Sequence, residues 1–294
     1  MNNTVWKTMF TDDFCDDEYL YYYTDLETAK QIISSNQLTF SPLNMSNDCP
    51  EEKVKLFYSD EPKSFVTKDP IDTDLIDEYL TKRYDCIQII SFCQDYHFSN
   101  NQIKIMSKSH NNHEKDKYYD VTGRGFSIPC MWAKYRTDSN GVCFVINKHK
   151  FDNHVETDTD FILQDKVEYF DFTHSYVINK DVACDLTEKI LRIKKQKKSI
   201  FTLIKNNDIH LKFNFLSKKI DWIYENEYRY ISFKDTSVDF VSVGGLDEYL
   251  EGIVINSNIN ATLENELLQF VTDFHIDKCR IKKISFGNDY ATLI

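Results

Sequence analysis

L-Y-Y-Y-T-D-L-E-T-A-K-Q-I-I, residues 20–33, decides how the rest of the chain is read. Its first half, Leu20-Tyr21-Tyr22-Tyr23-Thr24, sets aromatic rings on alternate faces of an extended run, the habit of a strand. Its second half puts Ala29, Ile32 and Ile33 at helical spacing behind Asp25. An aspartate there caps a helix, because its carboxylate accepts from N–H groups that the first turn leaves unpaired. A helix is therefore expected over residues 25–36. Leu38-Thr39-Phe40-Ser41 follows as a short strand that Pro42 closes.

Outward from this unit, apolar runs alternate with amphipathic ones. Residues 85–93 and 141–147 read as buried strands, and residues 161–173 alternate well enough for a third. Helices are expected over 72–83, 125–136, 185–206, 211–224 and 260–272. Residues 227–233, E-Y-R-Y-I-S-F, read as a strand, as do stretches near 238–243, 251–256 and 280–286. Strands and helices are segregated rather than strictly alternating, which favours an α+β fold with a mixed, largely antiparallel sheet and flanking helices. No repeat and no Pro/Gly/Ser linker divides the chain. Residues 1–294 read as one domain, and residues 94–122, polar and aperiodic, read as a surface insertion too long for an ordinary connection.

Composition narrows the function classes. Only 7 of 294 residues are glycine, against a usual share of about 7%. Neither G-x-G-x-x-G nor G-x-x-x-x-G-K-[ST] can be written from them, so the two glycine-dependent phosphate cradles are excluded. A net charge of −12 argues against a global field for nucleic acid. One basic run, Lys189 to Lys198, holds six positive side chains; it reads as a solvated helix face or a phosphate-contacting strip. The eight cysteines form no C-x-x-C, and several lie in apolar runs, as buried small hydrophobes do. The polar, acidic opening segment and the lack of a long apolar stretch predict a cytoplasmic protein with free thiols and no membrane contact.

Candidate chemistry gathers in a few places. His110 and His113 lie in the polar insertion without the helical H-E-x-x-H of a zinc hydrolase, and no metal site is expected. No G-x-S-x-G exists, and no cysteine–histidine pair stands out. Asp165-Lys166-Val167-Glu168 does not complete the D-x(n)-E-x-K of a metal-dependent nuclease. Glu225 and Glu227 stand two apart at the start of the 227–233 strand and are expected on one face, with Arg229 continuing it. They read either as an edge ion pair or as carboxylates for glycosidic-bond chemistry, one holding a ribose hydroxyl and stabilising developing positive charge. Tyr22 and Thr24 offer polar handles and an aromatic wall. Trp132 and Tyr135, three apart on a helix, read as core or as a pocket wall.

Five segments together resemble a large bacterial family of unknown function, number 2971 of the domains of unknown function. They are L-Y-Y-Y-T-D-L-E-T-A-K-Q-I-I, L-T-F-S-P-L-N-M-S-N-D-C-P-E, I-S-F-C, M-W-A-K-Y-x(5)-G-V-C-F-V-I and W-I-Y-E-N-E-Y-R-Y-I, running in the family's order from residue 20 to about 231. Cys49, between Asp48 and Pro50, and the 94–122 insertion depart from its pattern. The layout is also similar to ADP-ribosyltransferases of the DarT and tRNA 2′-phosphotransferase kind. Those carry H-x-T on an early strand, a serine ending the next strand, and a late E-x-E or Q-x-E.

That resemblance implies a split sheet that holds NAD in its cleft, as substrate, without a glycine-rich loop. Tyr22 would take the histidine position, followed by Thr24 and then Ser41, with Trp132, Tyr135 and Arg229 as further cofactor contacts. Glu227 would be the late catalytic glutamate, and Glu225 would activate the acceptor. The implied activity is transfer of ADP-ribose to a macromolecule, protein or nucleic acid, in a bacterial toxin or anti-phage setting. NAD glycohydrolysis is its simpler form. The alternative is a non-catalytic module that senses a nucleotide or a phage protein.

Overall fold

The computed structural model describes residues 19–42, 57–58, 78, 87–96, 124–135, 140–158, 162–170, 177–178, 180–196, 198, 215–234, 240–274, 281–286 and 291–293. The strands in chain order are β1 (Tyr19–Asp25), β2 (Gln37–Thr39), β3 (Ser41–Pro42), β4 (Phe57–Tyr58) and β5 (Ile87–Cys93). Next come β6 (Gly141–Asn147), β7 (Ile162–Lys166), β8 (Glu168–Phe170), β9 (Val177–Ile178) and β10 (Ser217–Lys219). The last are β11 (Glu227–Phe233), β12 (Ser242–Gly244), β13 (Leu250–Asn256), β14 (Ile281–Phe286) and β15 (Ala291–Leu293). The α-helices are α1 (Leu26–Ser35), α2 (Pro129–Lys134), α3 (Lys148–Asp158), α4 (Lys180–Lys195), α5 (Leu246–Tyr249) and α6 (Ala261–Asp273).

Most strands join one open sheet in the order β15-β14-β13-β6-β1-β5-β11-β7, with β3 added against β5. Every neighbour in it is antiparallel except β13 and β14, which run parallel. The molecule is therefore α+β with a mixed, mostly antiparallel sheet. Its central strands are deeply buried: β6 over six of seven positions and β11 over all seven. Strands buried on both faces read as continuous apolar runs, which is why β5 and β6 were legible with almost these bounds; β11 was legible from side chains that alternate between two faces.

Packing differs on the two faces. Leu20, Phe92, Phe144, Tyr228 and Tyr230 lie on one, covered by α1, α3 and α6 through Ile33, Phe151 and Leu267. Tyr21, Tyr23, Cys93, Cys143 and Val254 lie on the other, against Met131 and Trp132 of α2 and Phe126 of the segment that leads into it. Gly125 lets this segment approach β1. A Cβ there would stand 2.2 Å from the Tyr21 ring, and the Tyr23 hydroxyl donates to the Gly125 carbonyl at 2.7 Å.

The feature that positions the site is a parting of the sheet. β1 is paired to β6 along its whole length, yet its register with β5 is a single pair, Tyr21 with Cys93. Past that pair the two strands separate, and β3 takes the freed edge of β5 with Ser41 opposite Ile89. α1 starts at the same end of β1, capped as expected: the Thr28 N–H donates to the Asp25 carboxylate at 2.8 Å.

Two expectations change. Residues 211–224 were expected to be one helix; in their described part Phe215 is helical, and β10, paired in parallel with β8, and a 3-10 helix over Ile220–Glu225 follow. Ile220 and Ile223 are exposed, while Lys218 is buried. The strand expected over 161–173 breaks at Val167 into β7 on β11 and β8 on β10. The expected helix at 72–83 and the insertion at 94–122 lie mostly outside the described residues, as does part of the helix expected at 185–206, where α4 is described.

Candidate active site

The parting between β1 and β5 opens a cleft of about 250 Å³. Tyr22, Thr24 and Asp25 come to it from β1, Ser41 from β3, Ser91 and Cys93 from β5, Lys134 and Tyr135 from the end of α2, and Lys218, Glu225 and Glu227 from the β10–β11 segment. Of the eight candidate residues in the sequence, six line it: Tyr22, Thr24, Ser41, Tyr135, Glu225 and Glu227. Trp132 and Arg229 stand behind the wall. Trp132 is core, its indole N–H donating to the Phe126 carbonyl at 2.7 Å and its ring edge-on to Tyr23. Arg229 is buried beneath Glu227.

Strand alternation explains how residues of both faces meet. Tyr22 shares its face with Phe92, ring centroids 5.8 Å apart, whereas Glu227 sits opposite Cys93, on the face of Tyr21. In a continuous sheet the backbone would separate them. They line one cleft only because β1 and β5 part.

Glu225 and Glu227 converge by a route the two-residue spacing does not describe. Glu225 ends the 3-10 helix, and Asn226 follows in the left-handed region at φ 41°. The Asn226 side-chain amide donates to the carbonyls of Gln94 and Asp95 at 3.1 and 2.8 Å. Its own carbonyl accepts from the Gln94 N–H at 3.0 Å. The segment after β5 thus holds the turn between the two glutamates. It is itself braced by Asp95, which accepts from the Arg124 guanidinium at 2.7 Å and the Gly125 N–H at 2.8 Å.

Both carboxylates are buried and paired. Lys134 donates to Glu225 Oε1 at 2.8 Å and Lys218 to Glu225 Oε2 at 2.7 Å. Arg229 spans Glu227, Nε to Oε1 at 2.8 Å and Nη2 to Oε2 at 3.0 Å, and Lys218 reaches Oε2 at 3.3 Å. Buried carboxylates this close repel one another unless cations stand between them; Lys218 is that cation. Both lysines lie over the Trp222 ring, at 5.0 and 5.3 Å from its centroid. Lys134 and Lys218 were not legible as partners of the glutamates, because only the fold brings them near.

The phenol and thiol groups of the lining stay neutral near pH 7. Burial pushes the Tyr22 hydroxyl up to about 12, with Asp25 adding to the effect. Tyr135 is raised too, first by burial and then by Tyr22, Cys93 and the two glutamates. Burial pushes the Cys93 thiol well up, and Glu225 and Glu227 reinforce it. An inert thiol, not a nucleophilic thiolate, lies in the cleft. Among the described residues no group of histidine, cysteine and carboxylate side chains is placed to hold a metal ion. No described helix is long and apolar enough to cross a membrane.

Comparison with known proteins is sparse: no curated protein and no solved structure matches the chain. Residues 131–230, which hold Lys134, Tyr135, Lys218, Glu225 and Glu227, match the family model described as a protein of unknown function (DUF2971), and this supports the family resemblance carried by the segments at 131–146 and 222–231.

Proposed function

We propose that the cleft binds NAD, cleaves the bond between nicotinamide and ribose, and passes ADP-ribose to a macromolecular acceptor. One observation carries this reading. Tyr22, Thr24 and Ser41, from the strand–helix–strand unit, share a cleft with the late glutamates Glu225 and Glu227 at a parting of the sheet. The volume, about 250 Å³, is just below the roughly 300–1,000 Å³ of most small-molecule sites. It suits the nicotinamide ribose and its adjoining phosphate, with the adenosine half of the dinucleotide lying outside the cleft.

Each group then has a physical role. Glu227, oriented by the two-point grip of Arg229, accepts the ribose 2′-hydroxyl and offsets the positive charge that grows on the sugar as nicotinamide leaves. Low polarity around the pair strengthens that interaction. Tyr22 and Thr24 supply hydroxyls for the same ribose, and the Tyr135 ring lies alongside. Glu225 takes the proton from the acceptor, or from water in a glycohydrolase, once Lys134 releases its Oε1. Toxin or anti-phage modules are the biological setting in which such an activity belongs.

The test is nicotinamide release from NAD by the full chain, followed by chromatography. Wild type is expected to turn NAD over, and Glu227→Gln to lose at least about 100-fold, since oxyanion-type electrostatic contacts contribute about 10²–10³ in rate. Equal rates for the two proteins would end the proposal. A second reading rests on the same ion pairs: all four oxygens of Glu225 and Glu227 are already bonded to cations, as in a rigid binding module. That reading expects NAD to raise the melting temperature with no nicotinamide released.

A further inference from the structure

Lys134 is the outlier in the charged network. Lys218 is buried between two carboxylates, and Arg229 is buried against Glu227. The Lys134 side chain is 23% exposed on the cleft wall, and among the described residues its one carboxylate partner is Glu225, which it shares with Lys218. Lys134 therefore has half a counter-ion and two N–H donors beyond the one given to Glu225. It sits at the end of α2, with the Trp222 and Tyr135 rings at 5.0 and 5.7 Å. Aromatic faces hold an ammonium in place without neutralising it. Tyr22, Tyr135, Thr24 and Ser41, each with a hydroxyl, line the same space.

We infer that Lys134 is the anion contact of this cleft and takes a phosphate oxygen of the ligand, so that the site selects phosphorylated nucleosides over neutral ones. The inference rests on the reading that the cleft takes a nucleotide. The charge balance favours it: a phosphate supplies the share of counter-charge that Glu225 divides between two ammoniums. A charge-assisted N–H to phosphate bond is stronger than the neutral bonds the hydroxyls offer. Such a contact also draws Lys134 from Glu225 and leaves Oε1 open to accept a proton, which couples binding to the readiness of the base.

Binding is measured by calorimetry with three probes, ADP-ribose, adenosine and inorganic pyrophosphate, on wild type, Lys134→Met and Lys134→Arg. Ligand-free melting curves report whether each variant is folded. Wild type is expected to bind ADP-ribose at least about 10-fold tighter than adenosine, with the gap narrowing as salt is raised. Lys134→Met removes the gap and Lys134→Arg keeps most of it. Equal affinities of wild type for ADP-ribose and adenosine overturn the inference, as does an unchanged gap in Lys134→Met, or no binding of any probe by wild type. Pyrophosphate bound by wild type and lost in Lys134→Met, in a protein that never releases nicotinamide, upholds the anion contact while the transferase reading fails.

Discussion

At the scale of single residues the site depends on Asn226 more than on any group that lines it. It holds a left-handed backbone at φ 41° and ψ 55°, and its amide is bonded to two carbonyls of the segment after β5. The left-handed region is nearly free for glycine and costs other L-residues roughly 1–2 kcal/mol. Two effects can therefore be separated. Asn226→Gly loses only the amide bonds and is expected to cost about 1–2 kcal/mol. Asn226→Ala also loses the tolerance for positive φ and is expected to cost about 2–4 kcal/mol. Urea denaturation midpoints measure the difference; identical midpoints would remove Asn226 as the pivot. The sequence showed Glu225 and Glu227 as a pair, and their spacing suggested a shared strand face. They do meet, but through this turn. Asp95, Arg124, Lys134 and Lys218 were not legible, because their distances to the pair are set by folding and not by spacing.

At the scale of elements, legibility followed burial. β5 and β6 are apolar on both faces and carry their own signal, while β11 was legible from side chains that alternate between two faces. α1 was legible from its cap and its Ala29–Ile32–Ile33 stripe, all three residues buried. α3 was not expected at all: over Lys148–Asp158 its strong core anchors are Phe151 and Val155, four apart, amid polar side chains. Two anchors are too few to establish a 3.6-residue period. The 3-10 helix at Ile220–Glu225 lies where a longer helix was expected, and its isoleucines face outward. The cap on α1 gives a direct test. Asp25 accepts from both the N–H and the hydroxyl of Thr28, so Asp25→Ala is expected to lower stability by about 1 kcal/mol. Asp25→Asn, which can still accept from the N–H, should lose a few tenths at most. Thermal melts of the two variants are the check, and a loss as large for asparagine as for alanine would mean that Asp25 acts by charge and not as a cap.

At the scale of the whole molecule, the chain spends an unusual share of its interior on tyrosine, and this fixes its response to alkali. Tyr21, Tyr23, Tyr230 and Tyr249 are buried in the core, and Tyr22 lines the cleft. Burial raises the hydroxyls of Tyr21, Tyr23 and Tyr230 above their ordinary value, and Tyr22 from 10 to about 12. A tyrosine is neutral in its protonated form, so a raised folded pKa means that the unfolded chain gives up its proton first. The stability tied to that proton is complete below about pH 10. It declines as pH rises above the unfolded value and is gone once the folded value is passed. Tyr22 alone accounts for on the order of 2–3 kcal/mol across pH 10–12, a large part of the 5–15 kcal/mol typical of a domain. The melting temperature is therefore expected to be level from pH 7 to about 9.5 and to fall steeply above 10. Phenolate absorbance of the buried rings should rise only as near-ultraviolet circular dichroism is lost. Tyr22→Phe removes one of these protons and should move the alkaline midpoint upward, while Tyr135→Phe tests the neighbouring cleft ring in the same way. A gradual phenolate titration near pH 10 in a protein still folded would show that water reaches these rings, and that the parting between β1 and β5 runs deeper than the cleft.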